Sequence, residues 1–552
     1  MVWEILHWPR SMLSLEFGHM HEVLDNPLER HNQDTPGAAH SGLSADPKWI
    51  APTVALVSAI FIYLQTFVLP ATPRLATGDQ GIYLHDATRM LNGEMIYRDY
   101  DHFTLPGTDV LYVALFQGFG VRAWIPQLIL VILGLALVWL VLSISKKLMH
   151  GRAAYLPALL FVTLPFSSYL DATHHWYSLV AILGALAAML EERTCARLAC
   201  AGTLLGVATF FTQSMALVTV GFALFLRWEG IQSKRTWKTV LHQEVSLLAG
   251  FLGTISACLV YFVWKVGFTR IVYYTVIFVA KYYPADWFNN WRVYLAGRPQ
   301  LHDWNTWLDI PAFGLIHLIV PFFYILFPII VRRGETLPRE LRSRLMLVYV
   351  TGVVLFLTVA SAPAYTRLYV VSAPALILIV WYLDSSSDTS RPRTSRLPLR
   401  LAWTLVILMM AARPLATQFR WRQILDLPTG RTAFFDRLPY EKCKWLALRT
   451  QPSDYFFGDH LIAFALGLRN AGPVPFLRPT EYTRPEEVAA VMQGLENHQV
   501  RFVSWYIGLE HERYNRVHPE GDHLAPMRLY LKEHYHVAQT FSNGDQIWER
   551  NP

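Results

Sequence analysis

Cysteine is scarce in this chain. Four occur in 552 residues (Cys195, Cys200, Cys258 and Cys443), and all but Cys443 lie in or beside apolar runs. A single thiol in the polar C-terminal part excludes a disulfide framework there, and no CxxC pair offers a metal or redox site. Charge is thin as well: Asp, Glu, Lys and Arg make up 16%, against about 25% in soluble domains. No secretory signal peptide opens the chain; the first apolar run starts near Trp49, behind a polar leader. What fills the space is apolar, 53% of residues with 19 Trp, gathered into long blocks. That composition excludes a string of soluble domains and points to a polytopic membrane protein. The net charge of +7 is then a property of loops, not a nucleic-acid signal.

A hydrocarbon core of roughly 30 Å takes about 20 apolar residues to span. Such runs stand at about 50–70, 122–145, 153–170, 174–190, 245–266, 309–331, 345–362, 367–383 and 399–417. The stretch 197–227 is too long for one span and is broken at "FFTQS" (Phe210–Ser214), which brings the expected number to about eleven. With the leader inside, the inner connections carry eighteen Lys and Arg and the longer outer ones eight. This divides the chain into a leader (1–48), a helix bundle (49–418) and a C-terminal α/β domain (419–552) on the outer face. Met1–Leu24 is compatible with an amphipathic surface helix or with disorder, and His7, His19, His21, His31 and His40 show no metal-ligand spacing. In the C-terminal part, strands are expected at Asp454–Asp459 and Val500–Gly508, and a hairpin around Asn543-Gly544. A helix over Thr483–His498 reads as capped by Thr483 with Glu486 in the capping-box position. This part has no GxGxxG, P-loop or nucleophile elbow.

Chemistry concentrates on the expected outer face. The first loop, 71–108, leads to Asp109 and holds Asp79, Asp86, Asp99, Asp101, Glu94, His85 and His102. A solvated loop accounts for any one of these carboxylates. Asp79 differs by position: it follows the first span by about nine residues, and Gly78 and Gly81 leave room for a substrate to approach the backbone. Such a carboxylate is suited to take a proton from an acceptor. A helix is expected over Asp86–Glu94 and another over Asp109–Phe119. In "YLDATHHWYS", Asp171 and His175 share a face if helical, with His174 between them; hydrogen bonding at the interface is the plainer reading and metal ligation the bolder one. Cations able to meet an anion on this face are Arg89, Arg98, Lys281 and Arg367, the last equally placed to snorkel. Tyr273, Tyr274, Tyr282, Tyr283, Trp287 and Trp291 make an aromatic belt or a sugar- or lipid-binding wall.

Four stretches occur together in one order: "GDQGIYLHDATRMLNGEMIYRDYDHFTLPGT", "SSYLDATHHWYSL", "GVATFFTQSMAL" and "TRLYVVSAPALIL". Over roughly residues 50–385 the chain thereby resembles the GT-C class of integral-membrane glycosyltransferases, the bacterial group related to protein mannosyltransferases and aminoarabinose transferases. The resemblance implies a mainly α, polytopic fold and transfer of a sugar from a polyprenyl-phosphate carrier to an extracytoplasmic acceptor at the plasma (inner) membrane. It places the family's catalytic Asp on Asp79 and a second acidic position on Asp171. Gln80 stands where many relatives have another acid, which weakens a paired metal site, so no metal or other cofactor is expected. It places the late Arg on Arg367, followed by Tyr369 and Pro374, and the polar residue of the broken helix on Gln213. Arg98, His102, His174, His175 and Lys281 complete the expected substrate-binding set. The rival readings are a flippase or transporter of lipid-linked sugars, and a non-catalytic assembly subunit.

Overall fold

The computed structural model describes residues 47–75, 78–299, 304–333, 337–385, 397–510 and 521–552. The leader readings before residue 47 lie outside these residues, as do Arg391, Arg393 and Arg396.

In chain order, α1 (Ile50–Thr66) ends in a short hairpin, β1 (Phe67–Val68) and β2 (Thr72–Pro73), then come α2 (Gln80–Leu91) and α3 (Gly107–Phe119). Next are α4 (Trp124–Ser145), α5 (Gly151–Phe166), α6 (His174–Met189), α7 (Cys195–Phe211), α8 (Gln213–Gln232) and α9 (Trp237–Val266). After them run α10 (268–281), α11 (Ile310–Arg332), α12 (Arg339–Val359), α13 (Tyr365–Val370), α14 (Ala373–Ser385) and α15 (Leu397–Phe419).

Six of these, α4, α8, α9, α11, α12 and α15, are long and apolar enough to cross a membrane. Another five, α1, α5, α6, α7 and α14, are apolar but shorter. Each apolar run of the sequence is thus helical. The break at Phe210–Ser214 is real: Thr212 is extended (φ −145°, ψ 109°), and its hydroxyl is held 2.8 Å from Ser178 Oγ. Small residues then let helices touch. A Cβ at Gly202 would stand 1.9 Å from the Leu247 carbonyl oxygen, and one at Gly250 would stand 2.1 Å from that of Ala199, so α7 and α9 meet backbone to backbone.

The loops sort into two ends. At one, Lys147 pairs with Glu191, Arg193 and Arg235 pair with Glu229, Ser343 donates to Glu229, and Arg344 donates to the Lys147 carbonyl. Four of the five basic connections predicted for the inner side therefore meet in one network. At the other end gather α2, α3, the 169–173 turn, α10 and the C-terminal region.

That C-terminal region begins with a hairpin, β3 (Gln423–Leu427) and β4 (Gly430–Phe434), then α16 (Arg437–Ala447), β5 (Tyr455–Phe457), α17 (His460–Leu466) and β6 (Arg469–Asn470). It closes with α18 (Pro485–Asn497), β7 (Phe502–Trp505), α19 (Ala525–His534), β8 (Tyr535–Thr540) and β9 (Gln546–Arg550). The five-stranded sheet has the order β6-β5-β7-β9-β8, and β8–β9 is the hairpin expected around Asn543-Gly544. Its cap differs from the expectation: Arg484 is the N-cap of α18 and Glu487 completes the capping box, because Pro485 takes the first helical position. Thr483 instead accepts from the Arg478 amide. Strand β4 also grips the bundle, since Leu75 N donates to Ala433 O at 2.8 Å and Arg74 bridges to Ala433.

Candidate functional site

The site is built around the start of α2, which begins six residues earlier than the sequence suggests. Asp79 occupies the N-cap position, with its own side chain exposed and making no hydrogen bond among the described residues. The helix end is capped from elsewhere: Asp171 Oδ1, from the turn before α6, accepts the Gln80 amide at 3.0 Å. Asp171 is buried (3% exposed), and burial, then the charge of Asp79, push its carboxyl well above the ordinary aspartate range. Gly78 makes this possible. Its φ is +67°, and a Cβ there would stand 2.6 Å from Asp171 Oδ2. At Gly81 a Cβ would lie 3.0 Å from the His460 ring of α17. The two glycines expected to admit a substrate are therefore filled from within, one by Asp171 and one by the C-terminal region.

Asp171 and His175 do not share a helical face, because α6 starts only at His174. Both histidines are buried, and His174 Nδ1 lies 2.6 Å from the Tyr83 hydroxyl. From Tyr83 a buried chain runs inward: Thr104 Oγ1 at 3.2 Å, then His102 Nε2 at 2.7 Å, with His102 Nδ1 3.1 Å from Asp86 Oδ2. Asp109 Oδ2 is 3.7 Å from His102 Nε2. Asp86, His102 and Asp109 are close enough together to be considered as a metal site. In this structure His102 is held as a hydrogen-bonded ring, with Nδ1 on Asp86, itself one of the three, and Nε2 on Thr104. The same hydrogen bonds suit a proton shared within the group. Burial pushes Asp109 up to about 7. Burial works against charge on His102 too, yet Asp109 and Asp86 together outweigh it and raise the ring above the ordinary histidine value.

Two other expected binding residues, Gln213 and Arg367, tie loops together. Gln213 donates to the Phe103 and Thr275 carbonyls at 2.8 and 3.2 Å, tying the first loop to α10. Arg367 donates to Ala362 O (3.0 Å), Tyr283 Oη and Asn289 Oδ1 (both 2.8 Å), fixing the 283–289 turn. Arg98 is exposed and paired with Asp99 at 2.7 Å, and exposed Lys281 lies 4.8 Å from the Tyr282 ring centre. Tyr369 is fully buried in the bundle against Tyr365.

Three arginines that were not among the expected binding residues share a cavity with Asp171. Arg74, Arg413 and Arg420 line a cavity of about 270 Å³ whose wall includes Gly78, Ser168 and Asp171. Arg413 is 6% exposed and donates to Asp309 Oδ1 (3.1 Å), Ser168 Oγ (2.8 Å) and Leu308 O (2.7 Å), leaving its Nε without a partner among the described residues. The signal was present: Arg413 is a lone charge inside an apolar run, next to Pro414. The cavity shares Thr306, Asp309, Arg420 and Phe435 with a groove of about 1950 Å³ running along the end of α15, past Leu415 and Phe419.

No family model matches the chain, and no curated protein matches it in sequence. Solved structures do match. ArnT from Cupriavidus metallidurans, bound to undecaprenyl phosphate, aligns with 91% of this chain and 98% of its own at 14% identity, TM-score 0.53. The oligosaccharyltransferase AglB from Archaeoglobus fulgidus, with an inhibitory peptide and a dolichol-phosphate, aligns with 91% of this chain and 74% of its own at 14% identity, TM-score 0.52. The Archaeoglobus fulgidus oligosaccharyltransferase complexed with Zn and sulfate aligns with 91% and 73% at 13% identity, TM-score 0.53. At that identity the likeness is one of fold: the chain is built on the GT-C fold that these membrane transferases share.

Proposed function

We propose that this chain is an inverting membrane glycosyltransferase, using a polyprenyl-phosphate-linked hexose or pentose as donor and an extracytoplasmic glycan, lipid or protein as acceptor. The observation that carries this reading is the continuity of the large groove with the polar cavity that ends at Gly78 and Asp171, one residue from exposed Asp79. An apolar tail suits the groove, a sugar-phosphate suits the cavity, and a proton acceptor stands at its end. The bond between the anomeric carbon and the phosphate oxygen breaks while the acceptor oxygen or nitrogen bonds to that carbon from the opposite face. Asp79 takes the acceptor's proton, and the carrier leaves as polyprenyl phosphate. Asp171 works through Asp79, by capping α2, and is a positioning residue. Arg367 holds the 283–289 turn and adds positive field to the site. No step is routed through a metal, because cations of the chain answer the leaving charge.

In this reading the chain lies in the plasma (inner) membrane with the C-terminal region outside. The test uses the purified full chain and a polyprenyl-phosphate sugar. Asp79→Asn should keep carrier binding and lose transfer by about 10²–10⁴-fold, the range for a general base. Wild-type turnover in that variant would overturn the assignment.

A further inference from the structure

We infer that the groove between the β1–β2 hairpin, the start of α4 and the β3–β4 hairpin binds an anionic phospholipid of the surrounding bilayer, with Arg122 and Arg431 on its headgroup. This groove shares no residue with the cavity at Asp171 or with the groove along α15, so the inference does not depend on the glycosyltransferase reading.

Position along the helices sets the depth of the groove. Helix α4 runs for 22 residues from Trp124 and is apolar enough to cross a membrane, so its first turn stands where hydrocarbon gives way to headgroups. On the groove wall Leu69 is 57% exposed and Leu128, one turn into α4, is 41% exposed. Apolar surface left open at this depth is covered by acyl chains. Trp124 beside them has the amphipathic ring that belongs at this level. The same groove holds Arg122, two residues before the helix, and Arg431 of β4, both exposed. Its wall contains no Asp or Glu, and neither arginine makes an ion pair or side-chain hydrogen bond among the described residues. Asp426, opposite Arg431 in the register of the hairpin, makes no ion pair with it. Two unpaired cations at an apolar groove of about 690 Å³ specify a ligand with an anionic head and an apolar tail. In a bilayer that ligand is a phospholipid. Net negative charge on its headgroup favours it over a zwitterionic lipid, whose ammonium would meet two guanidinium groups.

The walls of the groove are braced by the chain itself. Tyr63 Oη donates to Pro70 O at 2.6 Å and Leu69 N donates to Gln418 Oε1 at 3.3 Å, which fixes the β1–β2 hairpin. Across the groove, Ala123 N donates to Thr429 O at 2.9 Å, and Thr429 Oγ1 donates to Ala465 O of α17 at 3.0 Å. The turn next to Arg431 is thus clipped between α4 and α17. Helix α17 begins with His460, which packs on Gly81, two residues from Asp79. A lipid held by both arginines adds to this clip and joins the C-terminal region to the bundle at the membrane surface.

The test titrates the full chain, delipidated in detergent, with phosphatidylglycerol, phosphatidylcholine and glycerol phosphate, and counts bound molecules by native mass spectrometry. Wild type should bind phosphatidylglycerol at least about tenfold more tightly than either of the others, as expected where tail and charge both contribute. Phosphatidylglycerol should also raise its unfolding temperature. The double variant Arg122→Gln, Arg431→Gln should bind phosphatidylglycerol only as well as phosphatidylcholine, a loss of about tenfold or more for two headgroup contacts. Its unfolding temperature without lipid should match that of wild type, because both side chains are exposed. Replacing both by Lys keeps the charges and should keep most of the preference. In wild type itself the preference should shrink as salt is raised. Equal phosphatidylglycerol affinity in wild type and the Gln variant, or a preference untouched by salt, would overturn the site. Phosphatidylcholine binding as tightly as phosphatidylglycerol would overturn the headgroup assignment. Glycerol phosphate binding as tightly would make this a free-phosphate site and overturn the lipid assignment.

Discussion

The two ends of the helix bundle are both rich in charge and use it in opposite ways. At the basic end the groups answer one another: Glu229, 6% exposed, meets Arg193, Arg235 and Ser343, Lys147 meets Glu191, and Arg227 meets Glu244. At the other end charge is left unmet, on Asp79, on Arg74 and on the Arg413 Nε. Satisfied charge fixes how loops lie against one another. Unsatisfied charge at the end of a cavity is free to meet a ligand, so the second end is where chemistry is to be sought.

The largest effect is expected from removing charge at the satisfied end. Glu229→Ala leaves Arg193 and Arg235 without their shared partner in a mostly buried place. It is expected to cost about 3–5 kcal/mol of stability, as for other broken buried pairs. Thermal unfolding in detergent checks this, and sugar transfer per folded molecule should stay unchanged. A transfer defect in folded Glu229→Ala would mean that the two ends are coupled.

At the unmet end the sharpest lever is not a charged residue. Gly78→Ala forces a Cβ into a left-handed backbone and onto Asp171 Oδ2, 2.6 Å away. The Asp171 cap must move, and Asp79 moves with the helix it starts. Transfer should fall about hundredfold, near 2.7 kcal/mol of barrier, with a smaller change in unfolding temperature. Wild-type transfer by Gly78→Ala would show that Asp171 does not position Asp79.

The same contrast explains what could be read without the structure. The eleven apolar runs, the break before Gln213 and the clustering of basic loops depend on local composition, and the helices and the charged network follow it. Asp79 could be singled out because it lies a fixed distance beyond a span. The meeting of Arg74 with Phe435 could not, because a strand contact between residues 75 and 433 brings them together. The burial of His174, His175 and His102 was likewise invisible, since it depends on α2, α3 and α6 packing around Tyr83. Gly78 was visible as a glycine but pointed to the wrong occupant, since spacing alone cannot say which side chain will fill the room it leaves.

A smaller effect is expected where the C-terminal region docks. Arg484 pairs with Asp101 of the first loop at 3.1 Å and with Glu487 beside it, and Tyr273 of α10 accepts a further bond. Tyr274 donates to Asp101, and Glu486 lies 3.4 Å from Arg484. Burial, then the hydrogen bond with Asp101, push Glu487 from 4.5 up to about 7, against the pull of Arg484. A carboxyl raised in the folded state favours folding while it is protonated. The contact is therefore strongest below about pH 4.5 and weakens as pH rises towards about 7, levelling off above that. Protease sensitivity of the C-terminal region should rise from pH 5 to pH 8 in wild type and lose that slope in Glu487→Gln. An unchanged slope in the variant would place the titration on another group.

The smallest effect belongs to Arg98, which the sequence made a candidate for substrate binding. It is 47% exposed and already paired with Asp99 on its own turn. An exposed pair of this kind contributes little, because water and salt screen it. Arg98→Ala should therefore shift neither donor affinity nor transfer by more than about threefold, measured beside wild type under the same conditions. If Arg98→Ala weakened donor binding about tenfold or more, a charge already answered by Asp99 would be holding the ligand, and the contrast between answered and unanswered charge would fail at this end.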